Sequence, residues 1–323
     1  MFAKIIAAAG AAFLLADAAT AQPFPSRTVR LLVGFGAGGG TDAIARLYAT
    51  QLAPILGVPV IVENRPGASQ LLAIRPLLAA APDGHTLFVG VGSSLGQGPG
   101  ARKDLPYDPV KDFSLIAMMA TSAGVFYVHP SVPARTLAEL VTYAKANPGK
   151  LNYGSAGLGA ANHLQTEYFM QLTGTSLAHI PYKSDQDVAV ETAAGTLQFS
   201  LTIAQTAVPL ITAGKLVALA VTGSKRLAAL PNVPTTAESP AQELRGLDAY
   251  TYYGLVGPAG VPAAVMERLN DAVNKVSAMP DVASRLRDGL MFEPAIMTQA
   301  EFRRYIERDL ARWREVGKSV KLD

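Results

Sequence analysis

Short apolar runs alternate with amphipathic helical patterns through nearly the whole chain, and this alternation limits the possible folds more than any other feature. Residues 28–33 have the composition of a strand, and apolar residues over 44–56 then recur at helical spacing. Such a period predicts βαβ units, in which helices cover both faces of a mainly parallel sheet. Further strands are expected at 59–62, 86–91, 115–119, 125–128, 151–154, 177–180, 197–201, 216–221 and 250–256.

Helices are expected between these strands and after the last of them. Thr136 and Glu139 form a capping box that starts one helix, and Asn147-Pro148-Gly149 ends it. The remaining helical patterns lie near 159–172, 185–194 and 205–213, then from 262, near 281 and over 302–313. The C-terminal helices have no sheet of their own to cover, so we expect them to pack on the first part of the chain.

The packing of the C-terminal helices on the first part of the chain predicts two lobes joined by two crossings of the chain, near residues 124 and 250. The first lobe would hold residues 22–124 and 250–323, and the second would hold residues 125–249. Two α/β lobes with two hinge crossings enclose a cleft between them, and a cleft of this kind is a common ligand site.

High hydropathy raises the question of a membrane protein. The mean hydropathy is +0.23, and residues 113–134 and 192–214 contain no Asp, Glu, Lys or Arg. Either stretch is long enough to span a bilayer. Gly, Pro, His and Gln residues divide both into runs of strand length, which is typical of strands buried on both faces. The pattern therefore favours an exported soluble protein with two covered sheets.

Residues 1–21 have the pattern of a secretory signal peptide. Lys4 precedes an apolar run over 5–16, and Ala19-Thr20-Ala21 matches the small-residue site that signal peptidase accepts. We expect cleavage before Gln22 and a periplasmic mature protein. An uncleaved anchor is the alternative, but the apolar run is shorter than the ~20 residues of a membrane span, and Asp17 interrupts its end.

Charge and composition exclude several classes of function. A formal net charge of +3, from 28 Lys and Arg against 25 Asp and Glu, is too even for a nucleic-acid binder that relies on a basic face. The absence of cysteine removes disulfides, thiol catalysis and thiolate metal sites. The four histidines have no close metal-ligand spacing, so no metal site is expected. No cofactor is expected under the binding-protein interpretation developed below.

Glycine-rich loops follow one strand in each half of the chain. Gly34, Gly36 and Gly39 fit the G-x-G-x-x-G pattern, and Glu63 stands at about the distance where a dinucleotide-binding fold places its ribose-binding acid. Thr41 or Asp42 is the expected N-cap of the helix that follows the loop. An exported dinucleotide-binding oxidoreductase is thus an open alternative, although an export signal and the lack of a clear acid/base pair oppose it. In either case, amides at a helix N-terminus attract an anion, and a carboxylate suits them as well as a phosphate.

Two further loops bear on the cleft. Residues 92–96 fit the G-x-S-x-G pattern of a hydrolase nucleophile, but Gln97-Gly98-Pro99-Gly100 follows and is predicted to prevent the helix that such a nucleophile needs. A strand-end loop that offers hydroxyls is therefore expected there. Residues 154–163 repeat the strand, glycine turn and helix in the second half and end at His163. The two glycine-rich loops would present hydrogen-bond donors to each other across the cleft. Such an arrangement without a general base favours a binding protein rather than an enzyme.

Motifs spread over 24–323 resemble those of the periplasmic solute-binding receptors of tripartite tricarboxylate transporters, the Bug family. The segments that carry the resemblance include Gly38-Gly39-Gly40-Thr41-Asp42, Val62-Glu63-Asn64-Arg65-Pro66-Gly67, Ala81-Pro82-Asp83-Gly84, Asn147-Pro148-Gly149-Lys150, Pro181-Tyr182-Lys183 and Gly257-Pro258-Ala259-Gly260. The resemblance implies a two-lobed, type II-like binding protein that closes on one small organic acid. In this family the ligand is typically a di- or tricarboxylate, an acidic amino acid or an aromatic acid. For this chain the resemblance implies a di- or tricarboxylate or an aromatic acid as ligand, membrane permease subunits as protein partners, and a monomer.

The resemblance also implies where the ligand binds. Phe35 would pack against it, and amides of Ala37, Gly38, Gly39, Ala156, Gly157 and Ala160 would bind carboxylate oxygens. Hydroxyls and other polar groups would orient the rest of the ligand from Thr41, Ser93, Ser94, Ser155, His163 and Thr202.

The chain departs from the family pattern at several positions. Ser69-Gln70 stands where a glycine-rich turn is usual, and Ser184-Asp185 replaces a glycine pair. Thr202 stands where many members carry an acidic residue, so recognition of an α-amino acid is not expected, because an ammonium would meet no counter-charge. Gln70 and Tyr252 then become candidates for ligand selectivity. A sensory receptor that presents its ligand to a membrane kinase is a further alternative with the same fold.

Overall fold

The strands form two separate sheets in the computed structural model, which describes residues 24–240, 242–245, 247 and 251–318. The predicted signal peptide 1–21 lies outside the described residues. The first sheet contains β1 Val29–Val33, β2 Val60–Asn64, β3 Thr86–Val91, β4 Phe113–Ser122, β10 Thr251–Pro258 and β11 Phe292–Pro294. The second contains β5 Gly124–Val128, β6 Asn152–Ser155, β7 Ala178–Pro181, β8 Phe199–Ile203 and β9 Val217–Val221. The α/β fold with two sheets is as predicted.

Both sheets are mixed, which corrects the expectation of mainly parallel sheets. The first has the order β11-β4-β10-β3-β1-β2, and the second has the order β7-β6-β8-β5-β9. Strand β1 is parallel to β2 and β3, but β10 is antiparallel to both neighbours, and β5 is likewise antiparallel to both of its own. The cause is topological: β10 and β5 enter their sheets directly from the other lobe and not through a helical crossover, so parallel pairing is not imposed on them.

These inserted strands are the connections between the lobes, by which we mean each sheet with the helices packed on it. Only Ala123 separates the end of β4 from the start of β5, and β10 returns the chain to the first sheet from Thr251. Both β5 and β10 are hydrogen-bonded to a neighbouring strand on each side, so each is held firmly within its sheet. The predicted lobe boundaries at 124 and 250 stay predictions, and residues 248–250 lie outside the described residues.

Helices cover both faces of each sheet. The first sheet carries α1 Gly40–Leu56, α2 Leu71–Leu78, α9 Ala263–Ser277, α10 Pro280–Ser284 and α11 Gln299–Val316. The second carries α5 Leu137–Ala146, α6 Ala161–Thr173, α7 Asp185–Ala193 and α8 Ala204–Thr212. Four apolar clusters fill the spaces between helices and sheets, and α9 and α11 pack on the first sheet as expected of the C-terminal helices.

Short helices occupy the segment that was predicted to be a loop. Residues Gly92–Leu95 form α3 and Gln97–Ala101 form α4, so the prediction that residues 97–100 exclude a helix was wrong. Pro99 lies in the first turn of α4, where an amide has no helical partner and its absence costs little. Gly100 allows the close approach of Trp313, since a Cβ there would meet the Trp313 side chain at 2.5 Å.

The C-terminal helix also contacts the second lobe. Trp313 and Val316 of α11 form a buried cluster with Ala101 and with Leu164 of α6, and the ring of Tyr168 lies edge-on to Trp313 at 6.1 Å. This cluster stabilises one side of the interlobe boundary by apolar packing. Among the described residues, no helix combines the length and the apolar character that a membrane crossing requires.

Candidate functional site

A cleft of about 910 Å³ lies between the two lobes and receives residues from both. Its first-lobe lining includes Gly34–Gly36, Gly38–Thr41, Gln70, Ser93 and Arg102, and its second-lobe lining includes residues 156–162, 183–186 and 201–203. The first-turn residues of α1, α6, α7 and α8 all lie on its surface. Because a helix carries a partial positive charge at its N-terminus, the ends of α1, α6 and α8 create a favourable potential for an anion, whereas α7 begins with the acidic Asp185.

Asp42 holds the first glycine-rich loop in place. One carboxylate oxygen accepts hydrogen bonds from the Gly38 amide and the Arg46 guanidinium, each at 2.9 Å, and the other accepts from Asn64 Nδ2 at 2.9 Å. Burial alone would raise the pKa of Asp42, but the bonds from Arg46, Gly38 and Asn64 together keep it below its usual value. Helix α1 is capped by the backbone of Gly39, so neither Thr41 nor Asp42 is its N-cap.

The predicted first-lobe contacts divide into those on the cleft and those away from it. Phe35, Gly38, Gly39, Thr41, Gln70 and Ser93 line the cleft, and Ala37 is an exposed loop residue outside the lining. The hydroxyl of Ser94 bonds the backbone of Val91 at 3.0 Å inside the α3 turn, so it does not face the cleft as expected. Tyr252 donates to Asp309 at 2.8 Å on the opposite face of β10, and its neighbours Thr251 and Tyr253 line the cleft instead.

Gln70 lies in a strained turn that directs its side chain into the cleft. Ala68, Ser69 and Gln70 have φ values of 47°, 51° and 73°, the left-handed conformation that glycine adopts most easily. The turn therefore keeps a glycine-like backbone without the glycines that the family favours there. Gln70 packs over Gly34, where a Cβ would lie 2.6 Å from its side chain. Its Nε2 donates to Ser93 Oγ at 3.0 Å, and its buried Oε1 has no partner.

Most backbone amides of the second glycine-rich loop, residues 154–163, already donate hydrogen bonds to groups within the loop. Ala156 donates to Asn162 Oδ1, Gly157 to Ser155 Oγ, and Gly159 to His163 Nδ1, at 3.1–3.2 Å, while the Ala160 amide donates to the Gly157 carbonyl. Ala156, Gly157 and Ala160 line the cleft, but their amides do not point to a ligand as expected. The amides best placed for an anion are those of Ala161 and Asn162, in the first turn of α6.

Ser155 and His163 support this loop from behind and do not line the cleft. Ser155 Oγ lies 2.6 Å from His179 Nε2, and the rings of His163 and His179 are 4.3 Å apart. Tyr153 stacks on His179 at 4.9 Å and donates to Glu167 at 2.6 Å. Burial, with a smaller effect from His179, lowers the pKa of His163 to about 4, so both rings are neutral at pH 7. Sequence reasoning identified His163 but not its role in positioning the loop.

Charged residues in the cleft were missed by sequence reasoning. Arg102 binds Asp104 through Nε and Nη2 at 3.0 and 2.7 Å, and Lys183 is an exposed lining residue. Asp185, the first residue of α7, lines the cleft near Thr202, whose hydroxyl lies 3.2 Å from that of Tyr127. The single signal in the sequence was the replacement of a glycine pair by Ser184-Asp185. Within the described residues, no group of three or more His, Asp or Glu side chains could hold a metal ion.

Residues 44–322 match the model of the tripartite tricarboxylate transporter family receptor. The chain belongs to this family. A UPF0065 protein of Bordetella pertussis is 35% identical over 302 residues, which cover 94% of this chain and 92% of that protein. These receptors bind solutes in the periplasm and are not enzymes.

Two solved structures from Rhodopseudomonas palustris show the same fold with a ligand. Rpa4515 with adipate has a TM-score of 0.81 and 30% identity, over 91% of this chain and 97% of that one. MatC with bound malate has a TM-score of 0.80 and 29% identity, over 91% of this chain and 100% of that one. The two-lobed architecture predicted from the sequence is confirmed, and carboxylates are the ligands named for these two proteins.

Proposed function

We propose that this receptor captures one small organic carboxylate in its interlobe cleft and delivers it to the permease subunits of a tripartite tricarboxylate transporter. The observation that carries the proposal is the convergence of the N-termini of α1, α6 and α8 on the cleft. The positive ends of α1 and α6 lie on opposite lobes, so one anion between them favours the closed arrangement. Adipate and malate in the related structures support the same class of ligand.

The binding residues in this proposal come from both lobes. Backbone amides at the starts of α1 and α6, with Gly39, Thr41, Ala161 and Asn162, hold a carboxylate. The Phe35 ring, 38% exposed in the cleft, covers the carbon skeleton of the ligand. Ser93, Gln70 and Thr202 orient the remaining polar groups. In this role the protein acts as a periplasmic monomer after cleavage before Gln22.

The dinucleotide-binding alternative is disfavoured by the pairing of Glu63. Its carboxylate accepts hydrogen bonds from Arg30 at 2.6 and 2.7 Å and from Arg65 at 3.3 Å. Both carboxylate oxygens are therefore already occupied and are not available to accept hydrogen bonds from ribose hydroxyls. Saturable binding of NAD or NADP would support that alternative. The sensory alternative shares the cleft, and genes for a permease or a histidine kinase beside this one would distinguish the two roles.

Calorimetry on the purified mature protein tests the proposal, with adipate, malate, succinate and amino dicarboxylates as ligands. Phe35→Ala should weaken binding by about tenfold or more, because an aromatic contact with the ligand is lost. Ile61→Ala is the matched control, since Ile61 is 44% exposed on β2 and lies outside the cleft. The proposal fails if no organic acid binds, or if the two variants weaken binding equally.

A further inference from the structure

Asp185 is fixed beside the ligand loop by a short chain of hydrogen bonds. Its Oδ1 accepts from Asn162 Nδ2 at 3.0 Å, and the same Asn162 accepts through Oδ1 from the amides of Ala156 and His163 at 3.1 Å. The amide of Ile203 in β8 also donates to the carboxyl. The carboxyl group is therefore positioned by two neighbouring elements, and its orientation does not depend on the ligand.

No basic side chain neutralises this carboxylate among the residues that the structure describes. Arg102 is bound to Asp104, and Lys183 forms no ion pair with Asp185. The other groups that face it are uncharged: Thr202 lies on the cleft beside it, and the buried phenols of Tyr127 and Tyr253 have pKa values that the negative field of Asp185 helps to raise. Burial raises the pKa of Asp185 to about 6, so the group is still mainly ionised at pH 7.

An ionised carboxylate without a counter-charge constrains the ligand that can occupy the cleft. A second carboxylate next to Asp185 would add like-charge repulsion in a partly desolvated site, whereas an ammonium would supply the missing charge and donate hydrogen bonds. Gln70 adds an independent observation from the first lobe. It is 6% exposed, lines the cleft, and has an amide oxygen without a partner, which also requires a donor.

We propose that Asp185 is a specificity-determining residue that binds an ammonium group, and that the ligand is an amino acid whose carboxylate is held by the helix N-termini. The inference rests on the proposed function and names its ligand class. It reverses the expectation drawn from Thr202, because α7 brings an acid to the cleft from a different place in the sequence. Asp185 acts here on selectivity, while capture of the carboxylate depends on the backbone amides.

Matched pairs of acids that differ only in the amino group test the inference by calorimetry. Suitable pairs are aspartate with succinate, 2-aminoadipate with adipate, and 6-aminohexanoate with hexanoate. In the wild-type receptor, the amino member of at least one pair should bind about tenfold or more tightly than its partner. Asp185→Asn, which preserves the shape of the side chain, should reduce this preference to about threefold or less without weakening the acid that lacks the amino group.

Asp187→Asn is the matched control, because Asp187 lies in the same helix turn and is exposed outside the cleft. It removes the same charge and should preserve the preference. The inference is overturned if the wild type binds acids without preferring the amino member, or if Asp185→Asn keeps that preference. These outcomes leave the proposed function intact, whereas failure of every acid to bind the wild type overturns the proposed function and the inference together. Thermal unfolding of each variant confirms that it is folded.

Discussion

Replacement of Asp185 by asparagine should stabilise the ligand-free receptor at neutral pH. Burial raises the pKa of this carboxyl from 3.8 to about 6, so the folded protein binds the proton more tightly than the unfolded chain does. The free energy of unfolding therefore falls as the pH rises from about 4 through about 6. A difference of about two pKa units corresponds to about 3 kcal/mol, and because water reaches the side chain through the cleft this value is an upper limit.

Urea unfolding of wild type and Asp185→Asn, followed between pH 4 and pH 8, measures this effect. We expect the variant to be about 2 kcal/mol more stable at pH 7.5 and the two curves to converge near pH 4. His163 and His179 titrate in both proteins, so their contribution cancels in the difference. Asp187→Asn, which removes the same formal charge from an exposed position of the same helix turn, is the control for a general effect of net charge. The reasoning is refuted if Asp185→Asn is the less stable protein at pH 7.5, or if the difference does not change with pH.

Three other substitutions test the packing around the cleft. Gly98→Ala should lower the free energy of unfolding by about 1 to 3 kcal/mol in urea, because its Cβ would overlap the backbone carbonyl oxygen of Ser93 beside the cleft, while Gly289→Ala, with open space at that position, should not; equal stabilities of the two variants would contradict this. Trp313→Ala should lower the free energy of unfolding by about 3 to 5 kcal/mol, because it removes the largest side chain of the interlobe cluster. Urea unfolding followed by circular dichroism measures this loss, and a loss below about 1 kcal/mol would refute that role. The neutral His163 ring stabilises the fold fully above about pH 6.5, and this contribution should be lost as the pH falls towards 4. The free energy of unfolding of His163→Gln should therefore depend less on pH over that range than that of the wild type. Parallel pH profiles of the two proteins would show that His163 does not titrate as described.

Much of the fold was predictable because local signals agree with the tertiary environment. The helix start predicted at Thr136 is one example: its hydroxyl accepts from the Glu139 amide at 3.1 Å, although the Glu139 carboxylate accepts from the Arg135 amide and so does not complete the capping box. Helix α5 ends at Ala146, just before the predicted stop. Of the two stretches without charge, 113–134 contains β4 and β5, whereas 192–214 contains β8 and helix α8, because a buried helix tolerates an apolar composition as well as a buried strand does. Pro99 shows the limit of this reasoning, since a residue that interrupts a helix is harmless in its first turn.

The candidate site was predictable by segment rather than by side chain. The glycine loops were located correctly, yet the direction of a side chain depends on strand registration that a single sequence does not reveal. Tyr252 and Tyr253 are adjacent, and the pleat of β10 places only Tyr253 on the cleft. Ser94 faces its own turn for a similar reason, because the Val91 backbone lies closer than any ligand.

By itself, the sequence determined the class of the protein: an α/β chain with alternating buried strands and helices, two glycine-rich loops before helix N-termini, and the motifs of a solute-binding family. These features are local, so they can be predicted from the spacing of residues along the chain. Only the tertiary structure decided which groups share the cleft. It joins Asn162 and Asp185, which are 23 residues apart, and places that acid near Thr202 on β8. The charge that a ligand meets depends on such distant contacts, because electrostatic interactions act through space and not along the chain.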